Sequence, residues 1–465
     1  MGIDPGGIVW RRPADWPFVP KWLLIGCAVG AIAGFGAVGL YELVKLATTW
    51  LLVWATGTEP ATTVAEAPVH GVIQGTRWWL LPAVVGGGAF ISTLLVKLVA
   101  PESAGHGTDA AIKAIHYDPT SMRARVPVVK LLASAGTLGS GGSGGTEGPI
   151  AQMSAAIGST LARKLHLSVA DAKIVVTAGL AAGIGAIFRS PFAGALLGVE
   201  MLYVRDMAPA IPLPAFAASV TGYLVFSSVV GFDRIFEGVG VFHVGIGEIL
   251  LFVALGLVVG LLGRLFVWFF YLVDRTFVKI GRFPVLRPAL GGLAVGVIGM
   301  VLPGVLGTGY GNIQVGLDRH LLLAMPLWAV LLLPVGKIVA TSLSVGSGGS
   351  AGIFGPGLVV GAAAGAALWR LSDLAGVAPP DPGVMVIVGM AACLGPIVHA
   401  PIALTVMAIE TTREVTLAVP VMIAMAVALT VVGDTTLYRS QLLTRDVSTT
   451  ESAGAHVVPV PRTRA

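Results

Sequence analysis

The sequence predicts an all-α membrane protein built from two divergent copies of one unit. The first observation is a repeated block: residues 139–149 read GSGGSGGTEGP, and residues 346–356 read GSGGSAGIFGP. The second is that the same offset of 207 residues relates Lys130 to Lys337, so the repeat extends beyond the glycines. The third is composition, since hydrophobic residues make up 55% of the chain and charged residues 11%, against about 25% charged in a soluble domain.

Long runs with few charges support the helical membrane assignment. The longest runs occupy residues 22–41, 78–96, 210–231, 243–263, 287–306, 321–336, 352–369 and 414–433. A spanning helix needs about 20 apolar residues, so these runs are long enough to cross a bilayer. Shorter runs between them suit helices that enter partway, which is tolerated where protein buries their ends. We expect roughly 10–14 crossings together with broken helices.

The ends of the chain are basic and polar, which predicts that both are cytoplasmic. The divisions that we predict are a cytoplasmic segment 1–21, a first membrane repeat 22–232, a second membrane repeat 233–445 and a polar cytoplasmic tail 446–465. In this arrangement the net charge of +5 indicates which ends of the chain are cytoplasmic, and it does not indicate nucleic-acid binding. Only two cysteines are present, both in apolar runs, so we expect no disulfide framework, no metal site and no cofactor.

The two glycine-rich breaks predict an anion site. A helix that starts after such a break leaves its first N–H groups without intrahelical partners, and the helix dipole adds about half a positive charge there. Two such breaks at matching places in two halves of a membrane protein point to a substrate site. Glycines that merely allow close helix packing are the alternative, and they explain the repeated blocks less well.

Glu147 is the only ionisable residue between Lys130 and Arg163, and it lies inside the first break. An acidic residue at membrane depth is costly and is by default functional. Because a carboxylate resembles a bound anion, Glu147 could occupy the anion site and leave it when protonated. We therefore predict that it is both gate and proton acceptor, with a simple helix cap as the alternative. Phe354 stands at the equivalent place in the second copy.

Two further acidic residues are related by the repeat, at an offset of 210. Glu200 and Glu410 each lie near the end of an apolar run, and we expect them to bond backbone groups where helices turn.

These residues resemble the CLC chloride channel and transporter family. The segment Gly145-Thr146-Glu147-Gly148-Pro149 is similar to the family's G-[KR]-E-G-P, and residues 352–356 match G-x-F-x-P. Residues 105–109 lie where the family has G-S-G-I-P, and Tyr438 lies where its late pore tyrosine is found. The resemblance extends from the first span to about Leu443.

The resemblance implies two inverted-topology repeats whose broken helices meet by their N-termini near the bilayer midplane. It also implies a homodimer with one anion pathway in each subunit, and Glu147 as the external gate. The absence of a long regulatory tail suggests the plasma membrane of a prokaryote. The residues that the resemblance places around the central anion are His106, Gly107, Gly148, Ile353, Phe354 and Tyr438.

Three positions depart from the family's pattern. His106 replaces the serine that faces the central anion, which leaves selectivity open, and Thr146 replaces a basic residue beside the gate. Met201 stands where many exchangers carry an internal proton-handling glutamate; it cannot titrate, so Glu200 is a possible substitute.

The function we predict is transport of chloride and similar small anions, most simply as a chloride/proton antiporter gated by Glu147. A passive chloride channel on the same scaffold is the runner-up, because Met201 weakens the case for proton coupling. A fluoride-specialised relative fits less well, since Phe354 and Tyr438 keep the chloride-type pattern.

An intramembrane enzyme would need a nucleophile with a base or a metal cluster, and a cation-coupled carrier would need carbonyl-lined breaks. The expected partners are chloride, protons, lipid and a second copy of the chain.

Overall fold

A computed structural model describes residues 16–64, 69–208, 211–240, 245–280 and 283–445. The predicted tail 446–465 and residues 1–15 of the predicted N-terminal segment lie outside the described residues, so their predicted location is not tested. Within the described ranges the fold is helical, and its β-pairing is limited to isolated bridges.

The first half of the chain contributes eight principal helices. They are α1 (Phe18–Ala47), α2 (Leu81–Val99), α3 (Thr108–Tyr117), α4 (Val126–Gly139), α5 (Glu147–Lys164), α6 (Val169–Ile187), α7 (Pro191–Glu200) and α8 (Pro212–Val230). Helix α1 continues without interruption through a π-helical segment, Thr48–Val53, and a last turn, Trp54–Thr56. The left-handed Gly57, at φ 74°, ends it, as glycine commonly ends helices.

The second half repeats this order with one extra short helix. Its helices are α9 (Ile246–Ile280), α10 (Leu286–Val301), α11 (Tyr310–Leu317), α12 (Arg319–Ala324), α13 (Leu327–Val345), α14 (Phe354–Leu374), α15 (Gly383–Val398), α16 (Pro401–Thr412) and α17 (Ala418–Val432). The remaining short 3-10 turns, Trp78–Leu80, Pro101–Ser103, Pro303–Val305 and Val415–Leu417, each lead into or out of a longer helix.

Helix packing in one half has a counterpart in the other. Helix α5 packs on α6 as α14 packs on α15, and α1 packs on α8 as α9 packs on α17. Equivalent helices also contact each other across the halves: α2 packs on α10, α7 packs on α16, and α5 meets α14. The structure therefore has the internal repeat that the sequence predicts, although the exact boundary at residues 232 and 233 stays a prediction.

Glycine sets the closest of these contacts. A Cβ at Gly158 would lie 2.7 Å from the Val175 carbonyl oxygen, and a Cβ at Gly365 would lie 2.1 Å from the Met385 carbonyl oxygen. The two glycines are related by the 207-residue offset. Small residues that let backbones approach closely are typical of helix contacts in membranes.

Eight helical stretches are long and apolar enough to cross a membrane, and five further apolar helices have 10–17 residues, counted over the described residues alone. The shorter ones include α7 and α16. This mixture of full-length and partial helices fits the prediction that some helices enter the membrane only partway.

Candidate functional site

The two glycine-rich breaks meet in the middle of the molecule. Gly145 and Gly352 form an isolated antiparallel bridge. The Gly145 N–H donates to the Gly352 carbonyl at 2.8 Å, and the Gly352 N–H donates to the Gly145 carbonyl at 2.7 Å. Because α5 starts two residues after Gly145 and α14 starts two residues after Gly352, the bridge brings both helix N-termini to one place.

Two side-chain hydrogen bonds flank this bridge, and they are copies of each other. The Ser134 and Ser350 hydroxyls are 3.2 Å apart, and the Thr341 and Ser143 hydroxyls are 2.9 Å apart. The offset of 207 residues exchanges one pair with the other. All four residues are buried, so the pairs satisfy polar groups that have little access to water.

Two repeat-related lysines secure the loops that precede the short helices α3 and α11. Both side chains are fully buried. Lys130 donates to the carbonyls of Ser103, at 3.0 Å, and Gly105. Lys337 does the same in the second half, donating at 3.0 and 2.8 Å to two carbonyls of the loop before α11. Each lysine thus fixes where a short helix begins.

Glu147 is the first residue of α5, and its carboxylate crosses to the second half. Its side chain is buried, with a relative exposure of 1%. Oε2 accepts from the Gly355 N–H in the first turn of α14 at 3.1 Å. Oε1 accepts from the Thr146 hydroxyl at 3.0 Å and from the Tyr310 hydroxyl. The negative group therefore lies at the positive end of α14, a position that favours an anion.

The carboxylate occupies space that is free because the neighbouring residues are glycines, which have no side chain. A Cβ at Gly145 would lie 2.1 Å from Oε2 of Glu147, and a Cβ at Gly355 would lie 2.6 Å from the same atom. A Cβ at Gly355 would also lie 2.3 Å from the Tyr310 hydroxyl oxygen. The glycines of the two breaks are thus required by the close approach of the acid and of Tyr310.

A cavity of about 280 Å³ leads to this carboxylate from one side. Thr146 and Tyr310, the two hydroxyl donors to Glu147, are among its lining residues. Lys45 and Arg189 also line it, and they bring positive charge to the approach. An anion entering the cavity would therefore reach the two hydroxyls that donate to Glu147.

On another side, the start of α3 meets the C-terminal segment. The His106 ring stacks on the Tyr438 ring, with centroids 5.7 Å apart and an interplanar angle of 28°. Tyr438 is fully buried. A Cβ at Gly148 would lie 2.1 Å from the His106 carbonyl oxygen, so the loop before α3 lies directly against the start of α5.

The predicted anion-binding residues thus fall at helix starts that the structure brings together. Gly107 precedes α3 with a φ of 89°, Gly148 lies in the first turn of α5, and Ile353 precedes α14. Phe354, the first residue of α14, packs its ring 5.6 Å from that of Phe188. That these groups bind an anion stays a prediction.

Glu200 and Glu410 form a reciprocal pair of helix caps. The Glu200 carboxylate accepts from the N–H groups of Ile402 and Ala403 at the start of α16, at 3.3 and 2.7 Å. Glu410, near the end of α16, accepts in the same way from Phe192 and Ala193 at the start of α7, at 3.1 and 2.8 Å. The prediction that the pair bonds backbone groups is confirmed. Both Glu200 oxygens accept from backbone N–H groups, and the suggested role of Glu200 in carrying protons stays a prediction.

Met201 directly follows α7 and is fully buried, and it brings no titratable group to its surroundings. Its carbonyl accepts from the Gln441 side chain at 2.8 Å.

Sequence reasoning missed two partners of Glu147, the Tyr310 hydroxyl and the Gly355 N–H. Tyr310 stands in the segment G-Y-G-N of the second half, 163 residues from Glu147. The sequence carries no local pattern that pairs Tyr310 or Gly355 with Glu147. These contacts become visible only once the fold brings the two repeats together.

Comparison with known proteins decides the family. A model of the voltage gated chloride channel family matches residues 87–433. The chain belongs to the CLC family. It is 32% identical over 307 residues to the voltage-gated ClC-type chloride channel ClcB of Salmonella typhimurium, covering 65% of this chain and 71% of the relative. It is 29% identical to the H(+)/Cl(-) exchange transporter ClcA of Vibrio parahaemolyticus, covering 91% of this chain and 89% of the relative.

Solved CLC structures share the fold. A slow cyanobacterial Cl-/H+ antiporter aligns with a TM-score of 0.74 at 23% identity, over 94% of this chain and 99% of that one. A CLC-type fluoride/proton antiporter aligns with a TM-score of 0.74 at 21% identity, over 92% of this chain and 98% of that one. These likenesses concern the fold, and the family assignment makes this CLC chain an integral membrane protein of anion transport.

Proposed function

We propose that this CLC chain exchanges chloride for protons across a prokaryotic plasma membrane, and that Glu147 is the gate. The observation that carries the proposal is the hydrogen bond from the Gly355 N–H to the Glu147 carboxylate. In this position the ionised side chain occupies the place at the start of α14 where an anion would bind. Protonation removes the charge that this place favours, so the neutral side chain leaves and chloride enters.

The surroundings of Glu147 support a carboxylate that responds to both ions. Two hydroxyls and one backbone N–H donate to it, and each bond favours the ionised form. Chloride arriving at the same donors competes with the carboxylate and also repels it, which favours protonation. Binding of chloride and binding of a proton are thereby linked at one residue, as exchange requires.

The proposed pathway runs from the cavity above Tyr310, past Glu147, to the layer of His106 and Tyr438. The cavity side would face outward, with both chain ends cytoplasmic, and two copies would form the family's homodimer with one pathway each. The outward-facing basic residues Lys45 and Arg189 would raise the local concentration of anions.

A passive channel is the second candidate, and Met201 favours it. Proton exchange needs a route beyond Glu147, and Met201 offers no titratable group on the way. The two candidates share the gate and the anion route, and they differ only in whether protons cross.

Chloride efflux from liposomes tests the gate. Glu147→Gln mimics the protonated carboxyl, so we expect chloride efflux that no longer depends on pH, together with loss of proton movement. The wild-type protein should instead move chloride faster as the pH falls, and move protons in the opposite direction. The control is Glu42→Gln, on the flank of α1, which should keep the wild-type pH response. A folded Glu147→Gln protein that retained the full pH response would show that another group is the gate.

A further inference from the structure

His106 lies in the loop between the Pro101–Ser103 turn and α3, and aromatic rings from two other elements contact its ring. The Tyr438 ring of the C-terminal segment stacks on it, as described above. The Phe270 ring of α9 meets it edge-on, with centroids 6.1 Å apart at 75°. The aromatic contacts fix the plane of the imidazole, so its nitrogens have defined directions.

Two polar atoms in this layer have no hydrogen-bond partner of normal geometry in the part of the chain that the structure describes. They are the His106 Nδ1 and the Tyr438 hydroxyl, and both atoms are buried. The Thr108 side chain is the polar neighbour of that hydroxyl. His116, in the last turn of α3, differs, because its Nε2 bonds the Leu202 carbonyl at 2.9 Å. Buried polar groups normally have partners, so two stacked rings with unpaired polar atoms point to a ligand between those atoms.

The layer is held rigidly enough to form a site. The Asp109 carboxylate accepts from the Ser440 N–H at 2.7 Å and from its hydroxyl at 2.9 Å, which fastens the C-terminal segment to the first turn of α3. The Tyr271 hydroxyl of α9 donates to the Leu437 carbonyl at 2.7 Å. These bonds fix the residues on both sides of Tyr438, so its ring cannot simply move away from His106.

The charged groups that act on the imidazole are two cations and one carboxylate. Burial opposes a positive charge on the ring most strongly; Asp109 of α3 favours one, and Lys130 of α4 and Arg439 of the C-terminal segment also oppose it. Phe270 of α9 and Tyr438 carry no charge. Protonating His106 is therefore unfavourable by itself and becomes favourable when an anion lies beside the ring.

We propose that His106 is a proton-carrying residue of the pathway, and that its protonated ring donates from Nδ1 to the same anion that the Tyr438 hydroxyl binds. His106 as a residue keeps partial exposure, so a proton can reach it from water while the Nδ1 atom itself is buried in the layer. This inference rests on the proposed function, and it supplies the titratable group that Met201 does not.

The proposal predicts that proton and anion bind together at His106. An anion next to Nδ1 favours the imidazolium, and by linkage the imidazolium raises the affinity for the anion by the same factor. Chloride affinity at this layer should therefore increase as the pH falls. The serine that the family's pattern has at this position would give no such dependence.

Calorimetric titration of purified protein with chloride tests this, in the Glu147→Gln background so that the gate cannot titrate. Between pH 7.5 and pH 4.5 we expect the chloride Kd to fall at least tenfold. Adding His106→Asn, which keeps a donor near the Nδ1 position but cannot be protonated, should reduce that change to less than twofold. His166→Asn is the matched control, on an exposed residue at φ 51° where asparagine is tolerated, and it should leave the tenfold change intact.

The outcomes separate the inference from the proposed function. An equal pH dependence with and without His106→Asn, or a pH-independent Kd in the Glu147→Gln background, would overturn the role of His106 alone. Absence of chloride binding at every pH would overturn the anion site and the inference with it. If His106→Asn is not recovered as folded protein, His106→Ser carries the same expectation, since serine also donates without titrating in this range.

Discussion

The two glycine-rich breaks have the same backbone and opposite chemistry. Gly145 and Gly352 pair with each other, and a buried lysine fastens each neighbouring loop. Yet the first break places Glu147 at its helix start and the second places Phe354 there. The comparison shows that the two repeats supply equivalent sets of backbone N–H groups. Only the first repeat adds a titratable side chain, Glu147, where the second has Phe354.

Of the variants that compare the two breaks, those that remove the buried lysines should have the largest effect, and the first property affected is thermal stability. Lys130→Met and Lys337→Met each leave two carbonyls without their donor, and an unsatisfied buried group costs about 1–3 kcal/mol. We expect both variants to lose thermal stability in detergent to a similar extent. Only Lys337→Met should also change the proposed gate, because the positive charge of Lys337 and the negative charge of Glu147 favour each other.

The direction of that change follows from charge. Without the positive side chain, the ionised carboxylate is less favoured, so acid should activate chloride efflux at a higher pH in Lys337→Met than in Lys130→Met. Equal pH midpoints in the two variants would mean that both lysines are purely structural.

Tyr310→Phe removes one donor from Glu147 and should have an intermediate effect. A hydrogen bond to a charged group contributes about 1.5–3 kcal/mol, and about 1.4 kcal/mol corresponds to one pH unit. The midpoint of acid activation should therefore move upward by roughly one to two pH units, measured as chloride efflux against pH. Tyr223→Phe, on α8 where its ring packs edge-on against Phe232, is the matched control and should leave the midpoint in place.

Thr146→Val should show the smallest effect in the same assay. Its hydroxyl also donates to Oε1, but an aliphatic hydroxyl is a weaker donor than a phenol, and water from the cavity can replace it. We expect an upward shift of less than about one pH unit. A shift larger than that of Tyr310→Phe would reverse the order of the two donors.

The sequence predicts the parts of this structure that depend on repetition and on helix starts. The offset of 207 residues identified the two breaks, and the dipole argument placed an anion site where α5 and α14 begin. The same reasoning anticipated that Glu200 and Glu410 would bond backbone, since each lies at the end of an apolar run.

The partners of Glu147 and His106 could not be predicted, because they come from distant parts of the chain. Tyr310 is 163 residues away from Glu147, and Tyr438 is held against His106 by bonds from Asp109 and Tyr271 to its neighbours Ser440 and Leu437. Long-range contacts of this kind depend on how whole helices pack, which no local pattern records. Sequence identified which residues carry chemistry, and the fold determines which of them act on each other.

The reversal potential of the reconstituted protein, under opposed chloride and proton gradients, tests the central claim most directly. If Glu147 links the two ions, the wild-type potential should be displaced from the chloride equilibrium potential toward that of protons, and Glu147→Gln should return it to the chloride value. A wild-type potential equal to the chloride equilibrium potential would contradict exchange and identify the protein as a passive channel.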